Sequence, residues 1–523
     1  MARDHCHHPV LAARGHLLRA GRRRVLRRVA DCGRRVRVVH APISDVGPFS
    51  GPFSGCLAGA RVLVAGARIT GASVARVLAE LGAEVTVTDS SPTQLAALAV
   101  TPRHGAVRLA AGLAAPPPGT DLVVTSPGLR PGDPLLVAAQ RTGVPVIGDV
   151  ALARWIDSAR PRPAEWLVVT GTNGKTTTVG MLESILRAAG VDAVACGNIG
   201  LPLLDAVRAG HRVLAVELSS FQLHWSRELS PRASVVLNVS ADHLDWHGCL
   251  AEYAAAKGRV YAEGTTAVVN ADDEWSTRLA AGRGGVEFTT SEPRDGQLGV
   301  HREKLVDRAF TTGLGVDGES GGSGDCGGTV LAGIADVRPP GPHNLSNALA
   351  AAALARCIGV PGAAVAQGLR AFTPGGHRGV LVGEHAGVCY VDDSKATNPH
   401  AARASLLARH RVVWIAGGLL KGVEVDSLVI ETRDRLLGAV LLGTDRATIA
   451  AALARHAPNL PVRVVDSGDD GAMMEAVAVA AELASPGGVV LLAPAAASMD
   501  MFTDYAHRGR AFAAAVAALG VAW

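Results

Sequence analysis

Short apolar runs alternate along most of the chain with amphipathic stretches that end at glycine. The first unit comprises an apolar run at 61–65, a glycine-bounded turn at 66–71, an amphipathic stretch at 73–81 and a second apolar run at 84–88. A strand, a helix and a second strand in this order predict a βαβ unit with parallel strands.

Two further groups of apolar runs follow, and polar residues come directly after the runs in both groups. The runs lie at 167–170, 213–218, 235–239 and 267–270 in the second group, and at 412–416, 439–442 and 489–492 in the third. Strands that are apolar throughout are typical of parallel sheets covered on both faces, and ligands bind at the carboxyl ends of such strands. The pattern therefore predicts three successive α/β blocks.

The composition agrees with a folded chain of this size. Of the 523 residues, 48% are hydrophobic and 19% are charged, and the mean hydropathy is +0.23, which excludes a disordered or collagen-like chain. Because no run of about 18 apolar residues lacks charges, and because the N-terminus lacks a signal-peptide core, we expect neither stable membrane insertion nor secretion. The eight cysteines are scattered without a C-x-x-C pair, which predicts reduced thiols and a cytoplasmic location.

The net charge of +4 is unevenly distributed. Residues 1–58 contain eleven arginines, no lysine and three aspartates, a balance of +8, so the remaining 465 residues carry −4. A mildly acidic body does not favour nucleic-acid binding, which requires basic residues on the folded surface. We expect 1–58 to be a basic, disordered extension or sequence upstream of the true start; a basic helix that contacts a membrane surface or a nucleic acid is the alternative.

The strongest local signal is the run TGTNGKTTT at 170–178, which lies between a predicted strand and a helix predicted at 179–189. Its glycines let backbone N–H groups approach phosphate oxygens, Lys175 can reach the β- and γ-phosphates, and Thr176 can ligate Mg²⁺. Val169 occupies the position of the first Walker glycine. An ordinary glycine-rich turn is the alternative, but the flanking strand and helix favour phosphate binding.

The run TGTNGKTT resembles the P-loop of the Mur ligases, the ATP-dependent amide-forming ligases of peptidoglycan synthesis. Other family motifs follow in the expected order: GNIG at 197–200, ELSSFQL at 217–223, NVSADHLD at 238–245, GPHNLSN at 341–347 and GGHR at 375–378. Two more, DSKATN at 393–398 and ASMD at 497–500, resemble the branch of the family that adds D-glutamate. The resemblance covers residues 59–523.

The resemblance implies an α/β fold of three domains: a Rossmann-like N-terminal domain, a central P-loop ATPase domain with a mostly parallel sheet, and a Rossmann-like C-terminal domain. We expect a UDP-substrate-binding domain at 59–153, an ATP-binding domain at 154–373 and an amino-acid-binding domain at 374–523. The third domain should close over ATP to exclude water.

The implied activity is the ATP-dependent joining of D-glutamate to the carboxylate of UDP-N-acetylmuramoyl-L-alanine through an acyl phosphate. The expected cofactors are ATP and two Mg²⁺ ions, and the expected enzyme is a cytoplasmic monomer without a nucleic-acid partner. One alternative is another Mur-type or a folylpolyglutamate-type ligase. A P-loop ATPase without ligase activity is the other, although it would need no third domain of this kind.

The resemblance also implies the residues of the ATP and metal sites. The expected nucleotide contacts are Gly171, Thr172, Asn173, Gly174, Lys175, Thr176, Thr177, Asn344, Asn347, Arg378 and Asp393. The expected catalytic residues are Lys175, Asn198, Glu217, His243 and Lys257, with Thr176 and Glu217 on one Mg²⁺ and His243 and carbamylated Lys257 on the other. The alternatives are a solvated strand-end carboxylate for Glu217, a structural histidine for His243, and helix N-capping for Asn344 and Asn347.

Lys257 can also be examined from its position in the sequence. In a predicted helix at 250–261, residues Tyr253, Lys257 and Tyr261 share one face, which should be the inner one. Burial would lower the pKa of this lysine and favour the neutral amine, which can take up CO₂ as a carbamate. The alternative is a lysine whose stem packs while its ammonium reaches solvent; the family resemblance favours the carbamate.

The implied substrate contacts fall into three groups. For the UDP moiety they are Ile69, Thr70, Asp89, Ser126 and Gly128; for the muramoyl part Asn198, Gln222 and Lys395; and for D-glutamate Thr397, Lys421, Ser498 and Tyr505. A dicarboxylate requires cations and hydroxyl donors, and Lys421 with Ser498 supplies both; a solvated loop lysine is the alternative for Lys421. The sequence departs from the family pattern at Arg68 (for Gly), Ser91 (for a basic residue) and Ala151 (for an acidic one).

Overall fold

The computed structural model describes residues 57–99, 107–227, 229–310, 327–466 and 471–520. The predicted basic extension at 1–58 lies almost wholly outside these ranges. No helix within them is long and apolar enough to cross a membrane. Packing divides the chain after Pro163 into two compact units.

The first unit contains a five-stranded parallel sheet in the order β3-β2-β1-β4-β5. Its strands are β1 (Arg61–Ala65), β2 (Glu84–Asp89), β3 (Arg108–Ala111), β4 (Leu122–Thr125) and β5 (Val146–Gly148). Its helices are α1 (Ile69–Glu80), α2 (Pro92–Ala99), α3 (Pro134–Arg141) and α4 (Asp149–Ser158). This strand order is that of doubly wound nucleotide-binding folds, so the Rossmann-like prediction is confirmed.

A nine-stranded sheet opens the second unit, in the order β14-β13-β12-β11-β10-β9-β6-β8-β7. Its strands are β6 (Glu165–Thr170), β7 (Ala193–Gly197), β8 (Val213–Glu217), β9 (Ala233–Val236), β10 (Thr266–Asn270), β11 (Gly285–Phe288), β12 (Gln297–His301), β13 (Lys304–Asp307) and β14 (Thr329–Gly333). The neighbouring strands from β7 to β12 in this order pair in parallel, whereas the pairs β12–β13 and β13–β14 are antiparallel. The prediction of a mostly parallel central sheet is confirmed.

The second unit also contains a six-stranded sheet in the order β15-β16-β20-β17-β18-β19. Its strands are β15 (Val380–His385), β16 (Val388–Asp392), β17 (Val412–Gly417), β18 (Leu436–Leu442), β19 (Val462–Val464) and β20 (Val489–Leu492). Only the edge pair β15–β16 is antiparallel. This sheet is the Rossmann-like C-terminal one that the motifs predict.

The helices of the second unit cover these sheets. They are α5 (Lys175–Ala188), α6 (Leu203–Ala209), α7 (Ser220–His224), α8 (Leu244–His247), α9 (Leu250–Gly258), α10 (Glu274–Leu279), α11 (Pro342–Arg356), α12 (Gly362–Ala371), α13 (Pro399–Leu407), α14 (Asp426–Thr432), α15 (Arg446–His456), α16 (Gly471–Leu483) and α17 (Tyr505–Ala518), with short 3₁₀ turns at Ile334–Asp336 and Arg433–Arg435. Helix α11 is buried along its alanine-rich stretch and packs against α5. Small side chains permit this close approach, which brings the start of α11 to the loop after β6.

Two helix boundaries differ from the prediction and bear on the site. Helix α5 begins at Lys175 because Gly174 takes a left-handed conformation and turns the chain directly into the helix. Helix α9 ends at Gly258, so Tyr261 lies beyond it and does not share its face. The Tyr261 hydroxyl instead donates to the carbonyl of Val268 at 2.9 Å and accepts from the amide of Val236 at 3.0 Å, joining β10 to β9.

Candidate active site

The loop after β6 has the conformation of a phosphate-binding loop. Gly171 and Gly174 have φ angles of +154° and +84°, which L side chains rarely adopt. The Lys175 ammonium turns back over the loop and donates to the carbonyls of Gly171 and Thr172, both at 2.9 Å. Burial lowers the pKa of Lys175, and neighbouring carboxylates oppose that shift. The loop therefore combines a cation with the amide-rich N-terminus of α5.

Glu217, the last residue of β8, is held from two sides. Its Oε2 accepts from the Thr176 hydroxyl at 2.9 Å, and its Oε1 accepts from the Asn198 side-chain amide at 2.9 Å. The residue is 2% exposed, so the solvated strand-end alternative is wrong. The carboxylate faces the start of α5 because the carboxyl ends of β6 and β8 meet at one sheet edge.

Lys257 on α9 is buried beneath the loop. Its Nζ donates to the Gly171 carbonyl at 2.7 Å and lies 4.4 Å from the centroid of the Tyr253 ring. Burial, together with the charge of Lys175, lowers the pKa of Lys257 well below its usual value. With 1% exposure, the expectation of a buried lysine is confirmed and the solvent-reaching alternative is wrong. Carbamate formation stays a prediction.

His243 is the last residue of the loop that follows β9. It has a φ of +53° at the N-terminus of α8, its Nε2 is 3.7 Å from Asp242 Oδ2, and its ring centroid is 4.7 Å from that of Phe221. Burial lowers the pKa of His243 to about 4, although Asp242 opposes the shift. The imidazole is therefore neutral at pH 7, the form that coordinates metal ions.

The metal ligands predicted from sequence are a hydroxyl, a carboxylate, an imidazole and a carbamylated lysine. Within the described ranges, no group of three or more His, Cys, Asp or Glu side chains is arranged as a metal site. Thr176 with Glu217, and His243 with Lys257, therefore stay predicted pairs of ligands.

The start of α11 packs directly on the phosphate loop. Asn347 Oδ1 accepts from the Thr178 hydroxyl at 3.2 Å, and Asn347 Nδ2 donates to Asn344 Oδ1 at 3.1 Å. A Cβ on Gly174 would lie only 2.2 Å from Asn347 Oδ1. The N-cap of α11 is Gly341, so the N-capping alternative for the two asparagines is wrong. Their contact with adenine stays a prediction.

Residues of the C-terminal sheet region meet the central one at the phosphate loop. Asn398, the N-cap of α13, donates from Nδ2 to Asn173 Oδ1 at 3.1 Å and to Asp242 Oδ2 at 3.3 Å. His400 Nδ1 lies 3.0 Å from Asn173 Nδ2, and the Lys421 ammonium is 3.5 Å from Asp242 Oδ1. The solvated-loop alternative for Lys421 is therefore wrong in this conformation.

A cavity of about 570 Å³ lies along α5, from Thr176 to Ala188. Thr176, Thr177 and Arg378, all predicted nucleotide contacts, are among its lining residues. Asp393, predicted at the ribose, is not among them, and its Oδ2 accepts from the Ser405 hydroxyl at 2.5 Å. Burial raises the pKa of Asp393 to about 6.

Three loops of the C-terminal sheet carry Thr397, Lys421 and Ser498, which are predicted to hold D-glutamate, and the muramoyl contact Lys395; the fourth predicted D-glutamate contact, Tyr505, begins α17. Lys395 and Thr397 share the loop after β16, and the Lys395 ammonium lies 3.8 Å from the centroid of the Tyr505 ring. Burial, followed by the charge of Arg378, lowers the pKa of Lys395 to about 8. Ser498, 3% exposed, follows β20 in a loop paired with the Lys421 loop through the bridge between Leu419 and Ala497.

The side chains of Gln222 and Thr172 form hydrogen bonds with other groups of the protein. The Gln222 amide oxygen accepts from the backbone amide of Ser219 at 3.1 Å in the capping box of α7. The Thr172 hydroxyl lies 3.2 Å from the Tyr253 hydroxyl and accepts from the Ser240 amide at 3.0 Å. Both residues stay predicted contacts of ligands, but these atoms already have protein partners.

In the first unit, the predicted UDP residues surround the turn between β1 and α1. Ile69 is 75% exposed at the start of α1, whereas Asp89 accepts from the backbone amides of Ala67 and Ser91, both at 2.8 Å. The buried Ser126 hydroxyl has no partner among the described residues. Arg68 is extended at the N-cap of α1 and exposed, so the turn accommodates it in place of glycine. Thr70 is half-buried in α1, and Gly128 is exposed after β4.

The sequence analysis missed several residues of the central network. Asn238 Oδ1 accepts from the Asn173 amide at 2.9 Å, and Asn398, His400 and Arg508 were assigned no role. The pair Asn398-Pro399 carries an available signal, since asparagine followed by proline is typical of a helix N-terminus. No local pattern distinguishes the buried Arg508 from its exposed neighbour Arg510.

Comparison with known proteins gives matches over most of the chain. The family model described as Mur ligase middle domain matches residues 169–355, and that described as Mur ligase MurD-like, N-terminal domain matches 60–148. The UDP-N-acetylmuramoylalanine--D-glutamate ligase of Nocardia farcinica is 51% identical over 487 residues, covering 88% of this chain and 97% of the relative. The enzyme of the same name from Mycobacterium tuberculosis is 47% identical over 500 residues, covering 88% and 96%.

A solved structure supports the architecture. The UDP-N-acetylmuramate-alanine ligase of Thermotoga maritima superposes with a TM-score of 0.53 at 20% identity, covering 88% of this chain and 99% of that one. At this identity the likeness concerns the fold alone.

Proposed function

The chain belongs to the Mur ligase family, and we propose that it joins D-glutamate to the carboxylate of UDP-N-acetylmuramoyl-L-alanine in an ATP-dependent reaction of peptidoglycan precursor synthesis. The observation that carries this choice of substrates is the 51% identity to a D-glutamate-adding relative over 97% of that relative's length. In the proposed reaction the alanine carboxylate is phosphorylated, the D-glutamate amine attacks the acyl phosphate, and phosphate leaves.

The phosphate loop supports ATP as the phosphoryl donor. The positive φ angles of Gly171 and Gly174 shape a turn at the N-terminus of α5, where backbone N–H groups attract phosphate oxygens. The Lys175 ammonium lies over this turn and would stabilise charge on the γ-phosphoryl group during transfer. Asn344, Asn347, Arg378 and Asp393 are the further proposed nucleotide contacts.

The chemistry of the Thr176 and Glu217 oxygens fits Mg²⁺. A hydroxyl and a carboxylate oxygen, 2.9 Å apart beside a phosphate loop, are hard ligands of the kind that Mg²⁺ prefers. Mg²⁺ at this position would neutralise phosphate charge. Asn198 orients Glu217 through its other carboxylate oxygen, so we propose that Asn198 positions this carboxylate and borders the muramoyl substrate together with Gln222 and Lys395.

His243 and Lys257 are the proposed ligands of a second Mg²⁺ ion. Both side chains lie beside Tyr253, whose ring centroid is 6.5 Å from that of His243 and 4.4 Å from Lys257 Nζ. The buried amine of Lys257 is favoured in its neutral form, which is the form that reacts with CO₂. We therefore propose a carbamate at Lys257, which would supply an anionic ligand where the unmodified side chain supplies none.

Three loops after the C-terminal strands, together with the start of α17, would bind the amino acid. The Lys421 ammonium and the Ser498 hydroxyl offer the cation and donor that a dicarboxylate requires, and Thr397 and Tyr505 lie on the neighbouring elements. Contacts of Asn398 and Lys421 with the phosphate-loop region bring these loops to the site of phosphoryl transfer. Such closure would protect the acyl phosphate from water.

The UDP end is assigned to the first unit. We propose contacts from Ile69, Thr70, Asp89, Ser126 and Gly128, supported by the exposed Ile69 and by the unpartnered Ser126 hydroxyl beside the turn. The proposed domains are 59–153, 154–373 and 374–523, and the proposed location is the cytoplasm, where nucleotide-linked precursors are made.

The decisive experiment measures phosphate release with UDP-N-acetylmuramoyl-L-alanine, ATP and Mg²⁺ while the amino acid is varied. We expect release and a coupled dipeptide product with D-glutamate, and neither with L-glutamate, glycine or no amino acid. Release with another amino acid or acceptor would establish a different ligase specificity. Phosphate release that is the same with and without the acceptor and the amino acid would identify an ATPase without ligase activity and overturn the proposal.

A further inference from the structure

Arg508, in the first turns of α17, is among the most deeply buried charged side chains of the described chain. It is 1% exposed, and the described residues place no carboxylate within ion-pair distance of it. Burial lowers the pKa of Arg508 to about 10, so the guanidinium is still charged at neutral pH. A buried charge of this kind is costly unless hydrogen bonds satisfy it.

Hydrogen bonds to two loops and to the last residue of β17, where a third loop begins, satisfy the guanidinium. Nε donates to Ser394 Oγ at 3.0 Å, and Nη2 donates to the Ser394 carbonyl at 2.9 Å. Both terminal nitrogens donate to the Ala496 carbonyl at 3.1 Å, and Nη1 also reaches the Gly417 carbonyl at 3.4 Å. The planar fork of arginine can serve acceptors in several directions at once, which a lysine ammonium on a flexible stem does not reproduce.

These three loops carry the side chains proposed to bind D-glutamate. Thr397 follows Ser394, Lys421 follows Gly417, and Ser498 follows Ala496. The loops also bond to one another. The Ala495 amide donates to the Ala396 carbonyl at 2.9 Å, and Leu419 and Ala497 exchange two backbone hydrogen bonds of 2.9 Å.

Gly509, next to Arg508, allows α17 to pack closely against its neighbours. A Cβ on Gly509 would lie 2.1 Å from His377 Nδ1 and 2.7 Å from Asp392 Oδ2, and these two side chains are themselves joined at 2.6 Å. Helix α17 thus lies directly against the end of β16, where no side chain fits at position 509.

We propose that Arg508 is a positioning residue for the amino-acid site, holding the three loops at the spacing that D-glutamate requires. This inference rests on the proposed function. Arg508 donates to none of the side chains proposed to bind D-glutamate, and four of its five hydrogen bonds end on the loop backbone. Its loss would therefore weaken D-glutamate binding far more than ATP binding.

The test compares Arg508→Lys with Arg510→Lys, an exposed position on the same helix. We expect Arg508→Lys to raise the KM for D-glutamate about tenfold or more, since misplacement of binding groups by about 1 Å costs on this scale, while the KM for ATP stays within about twofold of wild type. Arg510→Lys should leave both constants unchanged. An unchanged KM for D-glutamate in folded Arg508→Lys, or equal rises for both substrates, would overturn the inference.

Ser394→Ala provides a second route if Arg508→Lys does not fold. This variant keeps the guanidinium but removes the Nε acceptor, and with it the hydroxyl that donates to the Tyr505 carbonyl at 2.8 Å. Because two hydrogen bonds are lost, the KM for D-glutamate should rise about threefold or more; an unchanged KM would count against the inference. The proposed function fails separately, when the wild-type protein shows no phosphate release with D-glutamate.

Discussion

The side chains of Asn173, in the phosphate loop, and Asn398, at the N-terminus of α13, bond to each other in both directions. Asn398 Nδ2 donates to Asn173 Oδ1 at 3.1 Å, and Asn173 Nδ2 donates to Asn398 Oδ1 at 3.4 Å. The same Asn398 oxygen caps α13 by accepting from the Ala401 amide at 2.9 Å. One side chain thus begins a helix and also joins the C-terminal sheet region to the nucleotide loop.

Replacing Asn398 with serine separates these two roles. Serine retains the cap but is too short to reach Asn173 or Asp242. The free energy of unfolding should therefore fall by the lost hydrogen bonds, about 1 kcal/mol each, without the further cost of a lost cap. The KM for ATP should rise about fivefold, the factor that corresponds to ~1 kcal/mol, because Asn398 no longer holds the phosphate loop. Steady-state kinetics and denaturant unfolding measure the two effects, and a stability loss with an unchanged KM for ATP would show that Asn398 stabilises the fold only.

Glu217→Gln should abolish most of the activity while leaving the fold intact. The amide has the shape of the carboxylate but no charge for a metal ion, so we expect kcat/KM to fall by about 10² or more. Phosphate-release kinetics check this result, with Glu263→Gln as an exposed carboxylate control. Near-wild-type kinetics of Glu217→Gln would remove Glu217 from the proposed metal site.

Lys257 should carry a carbamate in the active protein. After equilibration with ¹³C-labelled bicarbonate, we expect a carbamate resonance in the NMR spectrum of the wild-type protein and of Lys304→Ala, a variant of an exposed lysine. Lys257→Ala should lose the resonance and about 10²-fold or more in kcat. A fully active wild-type protein without the resonance would contradict the modification.

The charge of Lys395 predicts a pH dependence of acceptor binding. Because burial lowers the pKa of Lys395 to about 8, its ammonium is charged below that pH and loses its charge as the pH rises through it. If this cation holds the anionic muramoyl substrate, the KM for that substrate should be lowest below about pH 8 and rise above it. Lys395→Arg should abolish the rise, since arginine stays protonated. A KM for the acceptor that does not change between about pH 7 and 9 in the wild type would refute this role.

Gly174→Ala should damage both stability and nucleotide binding. Gly174 and Gly190 both have positive φ angles, of +84° and +72°, but an added Cβ meets Asn347 Oδ1 at 2.2 Å at the first and nothing within 4 Å at the second. Gly190→Ala should therefore cost only the backbone penalty of about 1 kcal/mol. Gly174→Ala should cost more and weaken binding of a fluorescent ATP analogue. Equal effects of the two variants on unfolding and binding would show that the contact with Asn347 has no importance.

The sequence predicted the sheet architecture well because its strands are apolar along their whole length. Strands β1 and β20 begin and end where the hydrophobic pattern predicts, and the glycines of the phosphate loop mark the β6–α5 junction. Helix ends were less predictable. Tyr261 fits the face of α9 by spacing, but its hydroxyl is bonded between β9 and β10, and no spacing rule reports such a long-range partner.

The candidate site was predictable where a residue's chemistry follows from its motif. Glu217 and Lys257 lie beside the phosphate loop, as the motif order suggested, and their burial follows from their elements. Contacts between distant segments were not predictable, and Asn173 with Asn398 is one example. Arg508 is another, because its partners are mainly backbone carbonyls that any loop sequence supplies.

Four of the five Arg508 hydrogen bonds end on main-chain carbonyls. Every residue type has such a carbonyl, so mutations in these loops can change side chains while leaving most of the acceptors of the guanidinium in place. Selection can therefore alter the chemistry displayed to the incoming amino acid without rebuilding the support beneath it. A scaffold arranged in this way lets amino-acid preference diverge among descendants that keep the same arginine.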